Sequence, residues 1–424
     1  MILCISIFIL LTIIGTPIGI SLGLAALTGG MVYSVPMPEI AGQFLTDSGS
    51  YLLLAVPFFV LSGNLSHAGK ITERIFEFSR RLTGWLPGGL VHASILSSLF
   101  YAGIAGSAAS DAAGLGSVKI NAMKEEGCTP AFSGAVTAAS SVIGPVFPPS
   151  IPLVIYGALA GVSVRKLFIG GVLPGVLMCL GLMITILFFS GSLHLQRSAF
   201  DPQEILQCLI RSLWALMTPV LILTGYIAGW FTPAGGACIA AAYTLVISIL
   251  VYRSLDWKSF KSCMLEAGAA SANTLFIIGT ATLFTWVSAR AGVPFSVAPM
   301  FSWLAGHPMI LLLAIHVILL IAGMFLEPVA IMALVLPVFM PLIREAGISQ
   351  IHFGVILVLN LMIGQITPPF GISLFILSQN TGVPVRVLWK AISPFLIPLI
   401  VVLLICTFVP DIVLALPELL IHEQ

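Results

Sequence analysis

The sequence predicts an all-α integral membrane protein of two inverted-topology repeats, each carrying a re-entrant helical hairpin and a broken helix. Three observations lead there. The chain is apolar along its whole length, one series of motifs occurs twice, and the basic residues that follow an element in the first copy are absent after its counterpart in the second.

The chain has 424 residues, of which 59% are hydrophobic and 8% charged, against roughly 25% charged in an average soluble domain. Too few charges are present to cover a water-exposed surface of this size, so a lipid bilayer must supply much of the solvent. A span needs roughly 20 apolar residues, which leaves room for about ten spans plus shorter re-entrant pieces. The net charge of +1 argues against a nucleic-acid partner. The seven cysteines are scattered with no Cys-x-x-Cys pair, so neither a disulfide framework nor a zinc site is expected.

The repeat rests on order and spacing. Ala105-Gly106, Glu126-Gly127, Gly144, Gly161-Val162-Ser163-Val164-Arg165 and Pro174 are answered by Ala322-Gly323, Ala346-Gly347, Gly364, Gly382-Val383-Pro384-Val385-Arg386 and Pro394. Gly144 follows Gly127 by 17 residues, and Gly364 follows Gly347 by the same 17. Upstream, Ala68-Gly69 pairs with Ala291-Gly292. Self-similarity of this kind marks duplicated architecture. The segment after Gly69 carries Lys70, Arg74, Arg80 and Arg81, whereas its counterpart Val293–Gly306 carries no Lys or Arg. Basic residues stay on the cytoplasmic side, so the copies are expected to face opposite ways. The stretch Val35–Gly49 has acids and no base, which suits the outside; Arg253–Lys261 has three bases and suits the inside.

The elements follow in order. Repeat one (1–191) opens on an apolar run with no Lys or Arg before it, read as a first span near 5–34 rather than a removable leader. A span near 50–68 and an amphipathic interfacial helix near 70–86 come next. A hairpin at 88–123 turns at the glycine-rich tip Gly103–Asp111. A span broken at its prolines covers 131–163, and another span covers 168–191. The polar stretch 192–207 is a linker. Repeat two (208–424) has spans near 208–228, 231–252 and 264–289, then a neutral interfacial segment at 293–306. Its hairpin covers 308–343 with a tip at Gly323–Pro328. A broken span at 352–381 and a last span at 389–416 end it.

The chemistry is expected at the breaks. A proline in a helix leaves the carbonyl four residues earlier without a donor. Pro145, Pro148 and Pro149 would thus free the carbonyls of Ser141, Gly144 and Pro145; Pro368 and Pro369 would free those of Gly364 and Gln365. An unpaired carbonyl in hydrocarbon costs several kcal/mol, so these oxygens should face protein, water or a monovalent cation, with Ser107, Ser110 and Thr367 adding oxygens nearby. Each hairpin tip also holds one acid, Asp111 or Glu327, either capping a helix or working in transport. His92, Asn273 and Asn360 are read as hydrogen-bonded interior residues and Arg290 as a span-end residue. Gly63–Lys70 has one residue too many between its glycines for a phosphate loop, and no His-Glu-x-x-His lies on a span. ATP-driven pumping and intramembrane proteolysis are therefore disfavoured.

At Gly103-Ile104-Ala105-Gly106-Ser107-Ala108-Ala109-Ser110-Asp111, Gly144-Pro145-Val146-Phe147-Pro148-Pro149-Ser150, Gly364-Gln365-Ile366-Thr367-Pro368-Pro369-Phe370-Gly371 and Val56–Gly63, the sequence resembles the large membrane subunit of tripartite ATP-independent periplasmic (TRAP) transporters, over nearly the whole chain. The resemblance implies an elevator-type fold like that of the ion transporter superfamily, with hairpins and broken spans sliding against a scaffold. It implies sodium, Na+, as coupling ion: one site at Ser107, Ser110, Gly144, Phe147 and Pro148, another at Gly323, Gly364, Thr367 and Phe370, mostly through carbonyls. Asp111, Ser150, Glu327 and Gly371 are the candidates for substrate contact or gating. The implied substrate is a small organic anion such as a C4-dicarboxylate or sialic acid. The implied partners are a periplasmic substrate-binding protein and a small four-helix membrane subunit, separate because the chain is too short to include it. The rival reading is a stand-alone ion-coupled antiporter or exporter; an enzyme is not expected.

Overall fold

A computed structural model describes residues 2–189, 199–292 and 306–421. The expected interfacial segment 293–306 and the first part of the linker 192–207 lie outside the described residues, Gly306 excepted. Among the described residues every regular element is a helix. Eight are long and apolar enough to cross a membrane. Large apolar side chains such as Phe188, Ile210 and Leu250 are exposed, as lipid-facing positions require.

The first half contains α1 (Ile2–Ile14), α2 (Ile18–Val32) and α3 (Met37–Ser48), then α4 (Ala55–Ala68) and α5 (Ile71–Thr83). The single span expected near 5–34 is thus two short helices packed on each other. Gly15 at φ +92° turns the chain, and Pro17 sets the start of α2. Hairpin one is α6 (Gly89–Ala105) and α7 (108–125), the latter π-wound over Asp111–Leu115. Gly106 in the left-handed region, φ +60°, makes the turn. The first broken span is α8 (Pro130–Ser141) and α9 (Ile151–Ala160), followed by α10 (Val164–Phe189).

In the second half α11 (Pro202–Ala228) starts inside the expected linker. The Asp201 carboxylate accepts from the amides of Gln203 and Glu204 at 2.9 and 3.3 Å, and Pro202 takes the first helical position, where a missing N–H costs nothing. Then come α12 (Pro233–Val246, π-wound on to Val251) and α13 (Trp257–Arg290). At 34 residues, α13 is about 50 Å long, longer than the apolar core it crosses. Hairpin two is α14 (Pro308–Phe325) and α15 (Pro328–Glu345); the second broken span is α16 (Gln350–Gly364) and α17 (Ile372–Thr381). The chain ends on α18 (Val385–Phe408) and a separate short helix, α19 (Asp411–Leu420), where one span to 416 was expected.

The core sits on the broken spans. Residues Phe353 to Ile363 of α16 are buried on every side. The halves pack reciprocally: α17 lies on α8, and α9 lies on α16. Tyr156 of α9 covers the bare backbone of Gly354 and donates its hydroxyl to the Gln350 carbonyl at 2.7 Å. Hairpin one packs on α8, and hairpin two on α16.

One contact ties hairpin two to α13. Pro337 inside α15 denies a donor to the carbonyl of Ala333, and the Thr285 hydroxyl of α13 supplies one at 2.7 Å. Thr285→Val keeps the shape and removes the donor. It should cost about 1–3 kcal/mol, read as a lowered unfolding temperature in detergent; an unchanged temperature would show that the Ala333 carbonyl finds another partner.

Candidate functional site

Each hairpin tip is seated on one helix break. At the first, the Ile151 amide donates to the Gly106 carbonyl at 3.2 Å, and a Cβ at Gly106 would collide with the Pro149 carbonyl oxygen. A Cβ at Gly144 would lie 3.7 Å from the Ser107 oxygen, so the tip and the break share one space. At the second, the Gly371 amide donates to the Met324 carbonyl at 3.3 Å. Gly323 and Gly364 meet backbone to backbone, and the Phe325 and Phe370 rings lie 4.9 Å apart. The structure thus brings Ser107 to Gly144 and Gly323 to Gly364. The bonds Pro148–Pro149 and Pro368–Pro369 are both cis.

The carbonyl ledger differs from the expected one. Of the five oxygens assigned to proline, only that of Gly144 accepts no hydrogen bond among the described residues. The Ser141 carbonyl takes the Gly144 amide at 3.3 Å, that of Gly364 takes the Thr367 amide at 3.0 Å, and that of Gln365 takes the Ser373 amide at 3.3 Å. The Pro145 carbonyl takes the Ser150 hydroxyl. The reason is that α8 and α16 stop before their proline pairs. Tight turns then re-pair carbonyls that a continuous helix would have left open. Further on, the carbonyls of Phe147 and Pro148 at the first break, Thr367 and Phe370 at the second and Gly323 at the second tip accept no hydrogen bond among the described residues, and neither do those of Val146, Pro149, Ile366, Pro368 and Pro369. Gly144, Phe147 and Pro148 are buried. A buried carbonyl without a donor is rare enough to demand an account, and a hard cation that takes oxygen ligands fits the first cluster; at the second, Gly323 is buried but Thr367 is half-buried and Phe370 exposed, so burial makes the same demand only at Gly323.

The single residues singled out in the sequence are placed as follows, with His92, Asn360 and Arg290 in the interior and span-end positions expected of them. Asp111 neither caps a helix nor reaches a cavity. It is buried in an ion pair with Lys119, at 3.0 and 3.2 Å, and accepts from Ser98 at 2.7 Å. Ser150 is buried and caps α9, accepting the Leu153 amide at 3.2 Å. Gly371, at φ +56°, serves the turn. Ser110 is within 3.1 Å of the Tyr101 hydroxyl. Glu327 stands at the first position before α15 yet makes no capping bond. Arg290 pairs with Glu39 at 2.6 Å and stacks over Trp286. His92 meets the Pro87 carbonyl, and Asn360 meets His316.

Between the tips lies a cavity of about 450 Å3. Ser107, Ser110 and Pro145 line it from the first half, Glu327 and Gln365 from the second, and Asn64, Glu266 and Asn273 from α4 and α13. Asn64, Ser110 and Glu266 are shared with a cavity of about 310 Å3 that runs past His67 and Ser262. The starts of α7, α9 and α15 border the central cavity, and helix N-termini favour anions. Its only charged lining residues among those described are Glu266 and Glu327. The cavity therefore offers amide dipoles to an anion and carboxylates to cations, while the donor-free carbonyls belong to residues behind its wall rather than to its lining. Glu266 and Lys119 were not singled out in the sequence. Glu266 lies in a helix apolar enough to cross a membrane, which was the available signal; Lys119 lies in a polar stretch with Lys124 and Glu125, which gave none.

The sequence matches the family described as Tripartite ATP-independent periplasmic transporter, DctM component, over residues 5–412. The sialic acid TRAP transporter large permease protein SiaM of Vibrio cholerae is 38% identical over 409 residues, covering 96% of this chain and 95% of that protein. The sialic acid TRAP transporter permease protein SiaT of Haemophilus influenzae is 39% identical, covering 98% of this chain and 68% of that protein. The C4-dicarboxylate TRAP transporter large permease protein DctM of Pseudomonas aeruginosa is 37% identical, covering 94% of each. Among solved structures, the YdaH transporter of Alcanivorax borkumensis superposes with a TM-score of 0.61 at 16% identity, covering 89% of this chain and 88% of that one.

Proposed function

The chain belongs to the DctM family of TRAP transporter components, a multi-pass carrier of the bacterial inner membrane rather than an enzyme, and from that premise we propose that it imports a small organic anion by sodium symport. The observation that carries this reading is the pairing of two donor-free carbonyl clusters with a cavity whose only lining charges, among the described residues, are Glu266 and Glu327. An anion entering alone would be repelled by both carboxylates. Two sodium ions, one among Ser107, Ser110, Gly144, Phe147 and Pro148 and one among Gly323, Gly364, Thr367 and Phe370, would balance the two carboxylates and remove that repulsion. The N-termini of α7, α9 and α15 would then hold the substrate carboxylate.

In this reading the hairpins and broken spans form the moving unit of an elevator, and α4 and α13 belong to the scaffold it slides against. Substrate arrives from a periplasmic binding protein, and a small four-helix membrane subunit completes the scaffold. The named substrates of the relatives, sialic acid and C4-dicarboxylates, set the class of anion to try.

The test is reconstitution of the chain with a periplasmic binding protein and a small membrane subunit of the same system. Labelled N-acetylneuraminate and succinate serve as probes. Replacing sodium by choline should abolish uptake, and Glu327→Gln should raise the sodium half-saturation about tenfold, equivalent to roughly 1.4 kcal/mol. Counterflow that ignores sodium removal would defeat the coupling. Transport by this chain alone would favour a stand-alone antiporter instead.

A further inference from the structure

Away from the central cavity, three buried polar side chains from three helices meet: His316 of α14, Asn360 of α16 and Thr407 of α18. Thr407 fixes the direction of their hydrogen bonds. Its hydroxyl donates to the Leu403 carbonyl at 2.7 Å, so its oxygen accepts from Nε2 of His316 at 2.8 Å. The other ring nitrogen, Nδ1, accepts the Asn360 amide at 2.9 Å, and the same amide donates to the His316 carbonyl at 3.1 Å. One residue back along α18, the Cys406 carbonyl has no helix donor because residue 410 is proline. His352 of α16 donates to it at 2.8 Å. The last turn of α18 thus holds both α14 and α16.

His316 is the only polar side chain of α14, and Asn360 is the only one of α16 beyond His352. Two apolar helices can pack in several registers, and a lone buried polar pair selects one of them. The Asn360 oxygen has no partner among the described residues, which fits a pair retained for register more than for stability. His316 stands seven residues before Gly323, and Asn360 four before Gly364, so each lies on the side of its helix that carries the glycine contact. A slip of one residue would carry Gly323 about 1.5 Å along and about 100° around its helix, away from Gly364. We propose that the His316–Asn360–Thr407 relay is a register lock that seats the tip of hairpin two on its break, which makes these three the positioning residues of the second cation site. The tie to a cation rests on the symport reading above; the seating does not.

Bridging of two introduced thiols reads the seating. Cys208 and Cys238 are replaced by serine, the other five cysteines being buried. Phe325→Cys and Phe370→Cys then place one thiol on the tip and one on the break, where the rings lie 4.9 Å apart. The probe is 1,2-ethanediyl bismethanethiosulfonate, added to the chain in nanodiscs and followed by mass spectrometry. Adding His316→Leu with Asn360→Leu should slow bridging about tenfold. The unfolding temperature should not fall, because exchanging a whole buried polar pair for apolar groups is often neutral or stabilising. In reconstitution of the otherwise native chain, the same two substitutions should raise the sodium half-saturation about tenfold. Unchanged bridging in a double variant that folds would overturn the lock. Slowed bridging with a normal sodium half-saturation would overturn its tie to the second site. Should the double variant not fold, Thr407→Val decides: it keeps the shape, removes the acceptor of His316 and should slow bridging, and an unchanged rate overturns the lock. Bridging needs neither sodium nor partner proteins, so a failure of sodium coupling would leave its result standing.

Discussion

Gly364→Ala should abolish sodium-driven uptake, whereas Gly144→Ala should keep most of it. The two glycines hold equivalent places in the repeated motif but face different neighbours. A Cβ at Gly364 would stand 2.8 Å from the Gly323 Cα and 3.0 Å from the Gly323 carbonyl carbon. Those are backbone atoms of the hairpin-two tip, and no rotamer change can move them. A Cβ at Gly144 would meet nothing closer than the Ser141 oxygen at 3.5 Å, an ordinary contact. Overpacking typically costs about 1–3 kcal/mol. At Gly364 it would be relieved by pushing the tip off the break, which displaces the Gly323, Thr367 and Phe370 carbonyls together. Uptake should fall about a hundredfold, matching roughly 2.7 kcal/mol, while the protein still inserts and elutes as a single species in detergent. Gly144→Val, whose methyls reach the Ser107 carbonyl, should behave like Gly364→Ala. Normal sodium half-saturation in Gly364→Ala would remove the second site from the breaks.

That contrast also shows what the sequence could and could not convey. The breaks and tips were readable because Gly-x-x-x-Pro-Pro and the glycine-rich turns are local signals, and both copies carry them. Which carbonyls remain without donors was not readable. The proline rule assumes a helix running through the prolines, and here α8 and α16 end at Ser141 and Gly364. The division of 5–34 into two helices was missed because every residue around Gly15 and Pro17 is apolar enough for one span. Glu266 stayed hidden for another reason: only the packing of α13 against α4 and α15 brings it beside hairpin tips far away in the chain.

The acids of the two tips illustrate the same limit, and the largest stability effect follows from their difference. Asp111 and Glu327 look alike in sequence. In the fold Asp111 is neutralised within its own hairpin by Lys119, both side chains being fully or almost fully buried, while Glu327 faces the central cavity without a bond to its helix. Removing one member of a buried pair leaves a charge with no water and no partner, a cost of about 3–5 kcal/mol. Lys119→Met should therefore lose most of the folded protein in detergent, despite a side chain of similar length. Replacing the whole pair by apolar groups is often neutral or stabilising, so Asp111→Leu with Lys119→Met should recover folding that Lys119→Met alone loses. Transport by that double variant then decides what Asp111 is for. If the pair only fixes the shape of the hairpin, the variant takes up substrate with normal sodium half-saturation. A variant that folds fully yet transports nothing would put Asp111 back on the transport path. The ion pair would then be one state of a group that exchanges Lys119 for another cation during the cycle.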